Sequence, residues 1–241
     1  IVDRINKALK KEKVQNLLIS VAFGSAQHST DDGFEATFKT AEDRMYRNKL
    51  KENETYKRQM ITSIMNQLYE KEKSIKEHSK RVSTYAANLA LQTHLSNEEV
   101  ELVEKAALFH DLGKIAVNPK ILSLRSTQFT PSQNVEFRRH PEIGYNILRS
   151  LDEYTPLAEA VLYHHERFDG NGYLRGLEGE EIPLYARIIA VANAWANLTD
   201  SNITQERVPK SVAVASLEAM KETILDPNLV DCFLNKVIAD R

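Results

Sequence analysis

Cysteine is almost missing from this chain. Cys232 is the single one, so no disulfide can form within it, and a reducing compartment, the cytoplasm, is expected. The thiol reads as a quiet buried group, with a cross-link between two chains as the alternative. No apolar run approaches the roughly 18 residues a membrane span requires, and the opening residues lack a signal-peptide pattern. Charge of one sign is also lacking: 32 basic residues face 34 acidic ones, for a net charge of −2. That balance argues against a nucleic-acid or polyanion binder and leaves room only for a local basic pocket. An initiating methionine is missing too, since Ile1 stands first. The chain is therefore expected to be a piece of a longer protein with a sensor or anchor upstream. Glycine and proline are sparse, at eight and seven, and the glycines gather between Gly170 and Gly179. This composition predicts a mainly helical chain with one functional loop.

What is present supports that reading. A hydrophobic content of 42% is ample for a core, and the length suits one large domain or two small ones. Residues 1–12 read as a helix, and 17–23 (Leu-Leu-Ile-Ser-Val-Ala-Phe) read as a strand. A polar loop follows through Asp31, Asp32 and Gly33, then a helix over about 34–51. One strand with two helices cannot cover both faces of a sheet, so this segment is expected to be the tail of a truncated α/β domain. Residues 52–92 read as a long helix, with Ile61, Ile64, Leu68, Ile75, Val82 and Leu89 forming one apolar stripe. Core packing and a homodimer seam both account for such a stripe. The tail, with Val212, Leu217, Met220 and Ile224 at helical spacing, reads as packing.

Chemistry concentrates in the histidines. Of seven, His78, His110, His140, His164 and His165 stand in motif-like surroundings, while His28 and His94 do not. His110-Asp111 ends an apolar helix, His140 precedes Pro-Glu-Ile-Gly, and His164-His165-Glu166 ends another apolar stretch. His78 lies in line with Ile75 and Val82, which turns it inward. Neutral imidazoles with a carboxylate suit borderline divalent metals. Five histidines exceed one tetrahedral site, which points to two ions, with Asp111 able to bridge them because a carboxylate has two oxygens.

At these residues a resemblance becomes specific. Leu108-Phe109-His110-Asp111-Leu112-Gly113-Lys114 resembles the signature of the HD superfamily, and His164 to Leu177 resembles the loop of its HD-GYP branch. With His78-Ser79-Lys80-Arg81-Val82, Arg138 to Gly144 and Gly179 to Ala192, the likeness spans about 75–200. It implies an all-α bundle that hydrolyses cyclic di-GMP to pGpG or GMP in bacterial signalling. It implies two divalent ions, iron or manganese before zinc, on His78, His110, Asp111, His140, His164, His165 and Asn193. Asp111 and Lys114 would be catalytic. Lys114, Asp169, Gly172, Tyr173 and Arg187 would serve the substrate, with Asp169 and Gly170 holding the loop's turn. The first 51 residues resemble the end of a GGDEF (diguanylate cyclase) domain through Ile19-Ser20-Val21-Ala22-Phe23-Gly24 and Ala41 to Lys49. The implied division is 1–51 GGDEF-like tail, 52–74 helical linker and 75–241 HD-GYP-like domain.

Departures from that pattern bear on activity. Asn193 stands where the family has an aspartate ligand, so it offers a carbonyl oxygen without charge. Ser74 stands where some members have the glutamate of a third metal. Leu174 replaces the loop's proline, and 200–205 lack the family's phosphate-binding arginines, which lowers the expected affinity for phosphate. Three readings follow: a dinuclear phosphodiesterase, a degenerate receptor that binds nucleotide or a partner without turnover, and an HD-class phosphohydrolase on another nucleotide.

Overall fold

In the computed structural model, residues 13–14, 17–18, 22–27, 33–199 and 208–239 are described. The chain divides into two compact units, Ile1–Thr62 and Ser63–Arg241.

In the first unit, β1 (Lys13–Val14) pairs antiparallel with β2 (Leu17–Leu18). The strand expected over 17–23 is thus shorter than the sequence suggests, since 22–27 carry no strand. Their carbonyls are satisfied by a helix instead: Asn48 Nδ2 donates to Phe23 O at 2.8 Å and Arg44 Nη1 to Ser25 O at 2.7 Å. The backbone approach is close, because a Cβ on Gly24 would lie 1.8 Å from Ala41 O. The helix expected over 1–12 and the Asp31–Asp32 loop fall outside the described residues.

Helix α1 (Phe34–Lys71) runs unbroken where two segments were expected. The stretch predicted as one helix over 52–92 breaks at Glu72, whose backbone is extended (φ −149°, ψ 102°). Its carboxylate accepts from Ser74 N at 3.1 Å and Ser74 Oγ at 2.8 Å, so Glu72 caps α2 (Lys73–Ala90). Lys71, in the last turn of α1, donates to Ile115 O at 2.9 Å and also to Val117 O.

In the second unit, α2 packs on α3 (Asn97–Phe109) and α8 (Leu184–Thr199), and α3 packs on α7 (Thr155–Tyr163). The expected stripe is core here: Leu68, Ile75, Val82 and Leu89 are buried. Ser96 and Glu99 form a capping box that sets the start of α3. Between these come α4 (Pro119–Leu122), α5 (Pro131–Phe137) and α6 (His140–Arg149), three helices with proline in their first turn. The tail folds as α9 (Lys210–Ala219) and α10 (Pro227–Cys232) followed by a π-turn over Phe233–Val237. The expected packing face is only partly correct: Leu217 is buried, whereas Val212 is exposed and Leu229, Val230 and Phe233 supply the core. The free Cys232 is partly buried rather than buried. Among the described residues no helix is long and apolar enough to cross a membrane.

Candidate metal centre

Helix ends place the ligands. His110 closes α3 and Asp111 opens the 3-10 turn Leu112–Ala116; His164 closes α7, with His165 next; His140 begins α6. His78 and Asn193 come from the bodies of α2 and α8. Helix ends suit this task because their free carbonyls can orient an imidazole. His110 Nδ1 donates to Ala107 O at 2.7 Å, His140 Nδ1 to Phe137 O at 2.7 Å and His164 Nδ1 to Val161 O at 2.6 Å. A carbonyl only accepts, so each Nδ1 carries the proton and each Nε2 keeps its lone pair.

Those three Nε2 atoms are buried without a hydrogen-bond partner. Unmatched buried acceptors are costly in isolation, and three gathered in one cluster, with the His164 ring 5.2 Å from the His110 ring and 5.6 Å from that of His140, fit metal ligation. The candidate ligand atoms form two sets, each within 4.8 Å: His140, His164 and His165 in one, and His78, His110 and Asp111 in the other. Asp111 faces both. Its Oδ2 lies 3.3 Å from His110 Nε2 and its Oδ1 3.5 Å from His140 Nε2, while Lys114 Nζ donates to Oδ2 at 2.6 Å. Asn193 Oδ1 lies 3.0 Å from His78 Nε2 and accepts from Asn197 Nδ2 at 3.0 Å.

Electrostatics match that arrangement. Burial alone would raise the Asp111 carboxyl, but His110, Lys114 and His140 hold it well below the usual carboxylate range. Burial lowers His140 to about 4 and pushes His164 and His165 well below the ordinary imidazole value. All three are therefore neutral at pH 7, the form a metal requires.

The spacing of the two ligand segments is set by backbone. A Cβ on Gly113 would lie 1.9 Å from His140 O and 2.7 Å from Gly144 N.

The glycine loop closes one side. Gly170 has φ +74°, Asp169 pairs with Glu178 as a bridge, and Arg167 Nη2 donates to Asp169 Oδ2 at 2.5 Å. Asp169 and Gly170 thus hold the turn. Glu166 lies beneath the loop: its Oε1 accepts from Arg175 N at 2.5 Å, and its Oε2 is buried without a partner. A Cβ on Gly172 would lie 1.9 Å from that Oε2, so only glycine fits there. Tyr173 lies 5.7 Å from the His165 ring and carries the Arg138 guanidinium at 4.7 Å.

A cavity of about 360 Å³ opens beside the cluster. Its polar lining includes His78, Asp111, Lys114, His165 and Asn193, and its apolar lining Leu122, Leu124, Phe129 and Phe137. Arg187 does not reach it; its guanidinium is held by Asp226 Oδ2 at 2.6 Å and Ile182 O at 3.0 Å. Asn197, Phe129, Phe137 and Arg138 join the site although sequence reasoning gave them no role. Glu166 had a signal in standing beside His164-His165.

A family model described as "HD domain" matches residues 62–229. This chain belongs to the HD domain family. The HD domain is 40% identical over 156 residues to "Cyclic di-GMP phosphodiesterase response regulator RpfG" of Xanthomonas campestris pv. campestris, covering 64% of this chain and 41% of the relative. It is 33% identical over 177 residues to "Cyclic di-GMP phosphodiesterase" of Thermotoga maritima, covering 72% and 48%. The chain therefore spans less than half the length of these curated relatives. Among solved structures, "Bd1817, a HDG"Y"P protein from Bdellovibrio bacteriovorus" superposes with a TM-score of 0.54 at 23% identity, covering 66% of this chain and 51% of that one. The HD domain of the L. monocytogenes phosphodiesterase PgpH, solved "in complex with Cyclic-di-AMP", superposes with a TM-score of 0.53 at 14% identity, covering 74% and 94%. At such identities these likenesses establish the helical fold.

Proposed function

We propose that this chain is a metal-dependent phosphodiesterase that hydrolyses cyclic di-GMP, with two divalent ions as cofactors, iron or manganese before zinc. One observation carries the reading: three buried, tautomer-fixed Nε2 atoms lack partners, and two of them, on His110 and His140, flank the Asp111 carboxylate that faces both ligand sets. The names of the curated relatives supply the substrate class. His140, His164 and His165 would hold one ion and His78, His110 and the Asn193 oxygen the other, with Asp111 placed to serve both. Bound there, such ions lower the pKa of a water to near neutrality and polarise the phosphoryl group.

The chain's own residues orient the diester. Lys114, anchored on Asp111, presents its ammonium to the phosphate oxygens. Tyr173 and Gly172 shape the loop over the phosphate, and Asp169 fixes that loop through Arg167. We further propose that residues 1–51 are the end of a GGDEF domain, that 52–74 is a linker, and that the chain works in the cytoplasm. Any pairing with a second copy through 52–92 uses the exposed face of those helices, since the apolar stripe is core.

The test is metal content and cyclic di-GMP turnover measured on one anaerobically purified, manganese-loaded sample. About two ions per chain with turnover is the expected result. Nucleotide binding without turnover would instead support a receptor, the reading that the uncharged Asn193 favours.

A further inference from the structure

We propose that Phe129, in the lining of the metal-flanking cavity, is the seat on which a nucleobase of the substrate stacks. The inference rests on the phosphodiesterase reading for its substrate and adds a residue that sets specificity. Beside the metal ligands, Lys114 and a few other polar groups, the cavity is lined by Leu122, Leu124, Phe129 and Phe137. A phosphodiester needs donors and cations, so a hydrocarbon wall contributes nothing to holding its phosphate. A flat aromatic base is the part of a nucleotide that such a wall would take out of water.

Core packing does not account for Phe129. The segment's own buried anchor is Ile121, at 3% exposure, whereas Phe129 is only half-buried and borders the cavity. Its ring stands 5.2 Å from Phe137 at an interplanar angle of 50°, so the two form an angled aromatic wall rather than a closed stack. Tyr173 is a poorer seat because the Arg138 guanidinium already lies on its ring.

Phe137 links the seat to the metal ligands. Its ring stands 5.1 Å from that of His140 and 5.2 Å from that of Phe129, and the Lys114 ammonium lies 5.2 Å from its centroid. The volume, about 360 Å³, is at the small end of the ~300–1,000 Å³ range of small-molecule pockets.

The experiment compares binding of GMP and ribose 5-phosphate to the purified chain by calorimetry, in the parent, Phe129→Ala and Phe129→Trp. GMP should bind about tenfold or more tighter than ribose 5-phosphate in the parent, the worth of one base-on-aromatic stack. Phe129→Ala should abolish that preference and leave ribose 5-phosphate affinity as it was, and Phe129→Trp should retain the preference. No preference in the parent, or equal weakening of both ligands in Phe129→Ala, would overturn the proposal. The phosphodiesterase reading fails separately: a parent that prefers GMP but does not cleave cyclic di-GMP keeps the seat and loses the reaction.

Discussion

His78 and Asn193, from helices α2 and α8, meet with the imidazole Nε2 3.0 Å from the amide oxygen. Asn197 Nδ2 donates to the same oxygen, which fixes the amide's orientation toward the imidazole. An aspartate there would keep the Asn197 contact and add a negative charge beside two expected cations. Asn193→Asp should therefore tighten manganese binding by about tenfold or more. Equilibrium dialysis with manganese reads this directly, and an unchanged affinity would mean that Asn193 lies off the metal.

Lys114 gives a second expectation. Its ammonium is bonded to Asp111 and borders the cavity. Lys114→Met keeps the stem and removes the charge, so substrate affinity should fall about ten- to a hundredfold, the worth of one charge-assisted hydrogen bond. Metal content should change far less. A KM and kcat measurement beside metal analysis separates the two.

Gly172 gives a third. A Cβ there would lie 1.9 Å from Glu166 Oε2, inside van der Waals contact, so Gly172→Ala must displace either the loop or the carboxylate. Turnover should fall at least about tenfold, in keeping with the cost of a small misplacement of positioning groups. Global stability should change by less than about 2 kcal/mol, since the loop is at the surface. Denaturant titration checks the second half of the prediction, and a fully active variant would mean the loop does not position substrate.

The pH dependence follows from His140. Its folded value of about 4 lies below the ordinary 6.5, so the folded protein refuses a proton that the unfolded chain accepts. Stability present above pH 6.5 is then lost as the pH falls from 6.5 toward 4. For the metal-free protein, His140 alone should cost about 2 kcal/mol at about pH 5, with His164 and His165 acting in the same direction. Urea midpoints at about pH 7.5 and pH 5 test this, and equal midpoints would contradict it.

Much of the site was legible because its residues announce themselves by type and neighbour. His110-Asp111 and His164-His165 lie at the ends of apolar runs, and His78 falls on the buried stripe of α2. Periodicity could not show that α1 continues to Lys71 and breaks at Glu72, because charged residues cover both sides of that junction and the break is made by a side-chain cap. Arg187 looked available to substrate by its place in the motif; only tertiary structure reveals Asp226 as its partner. Arg138 opens the Arg138 to Gly144 motif and Phe129 stands in a loop, but the contacts of both depend on how α5 and the glycine loop meet the ligand helices.

The contact between Gly113 and the His140 carbonyl has a consequence for how this chain tolerates change. Because main-chain atoms act as the spacer, the gap between Asp111 and His140 does not depend on the bulk of any side chain between them. Side chains elsewhere in the bundle can therefore be exchanged without resetting the gauge of the centre. The same arrangement concentrates fragility at one point. A single added methyl at Gly113 would force those two segments apart and put the ligand sets out of register.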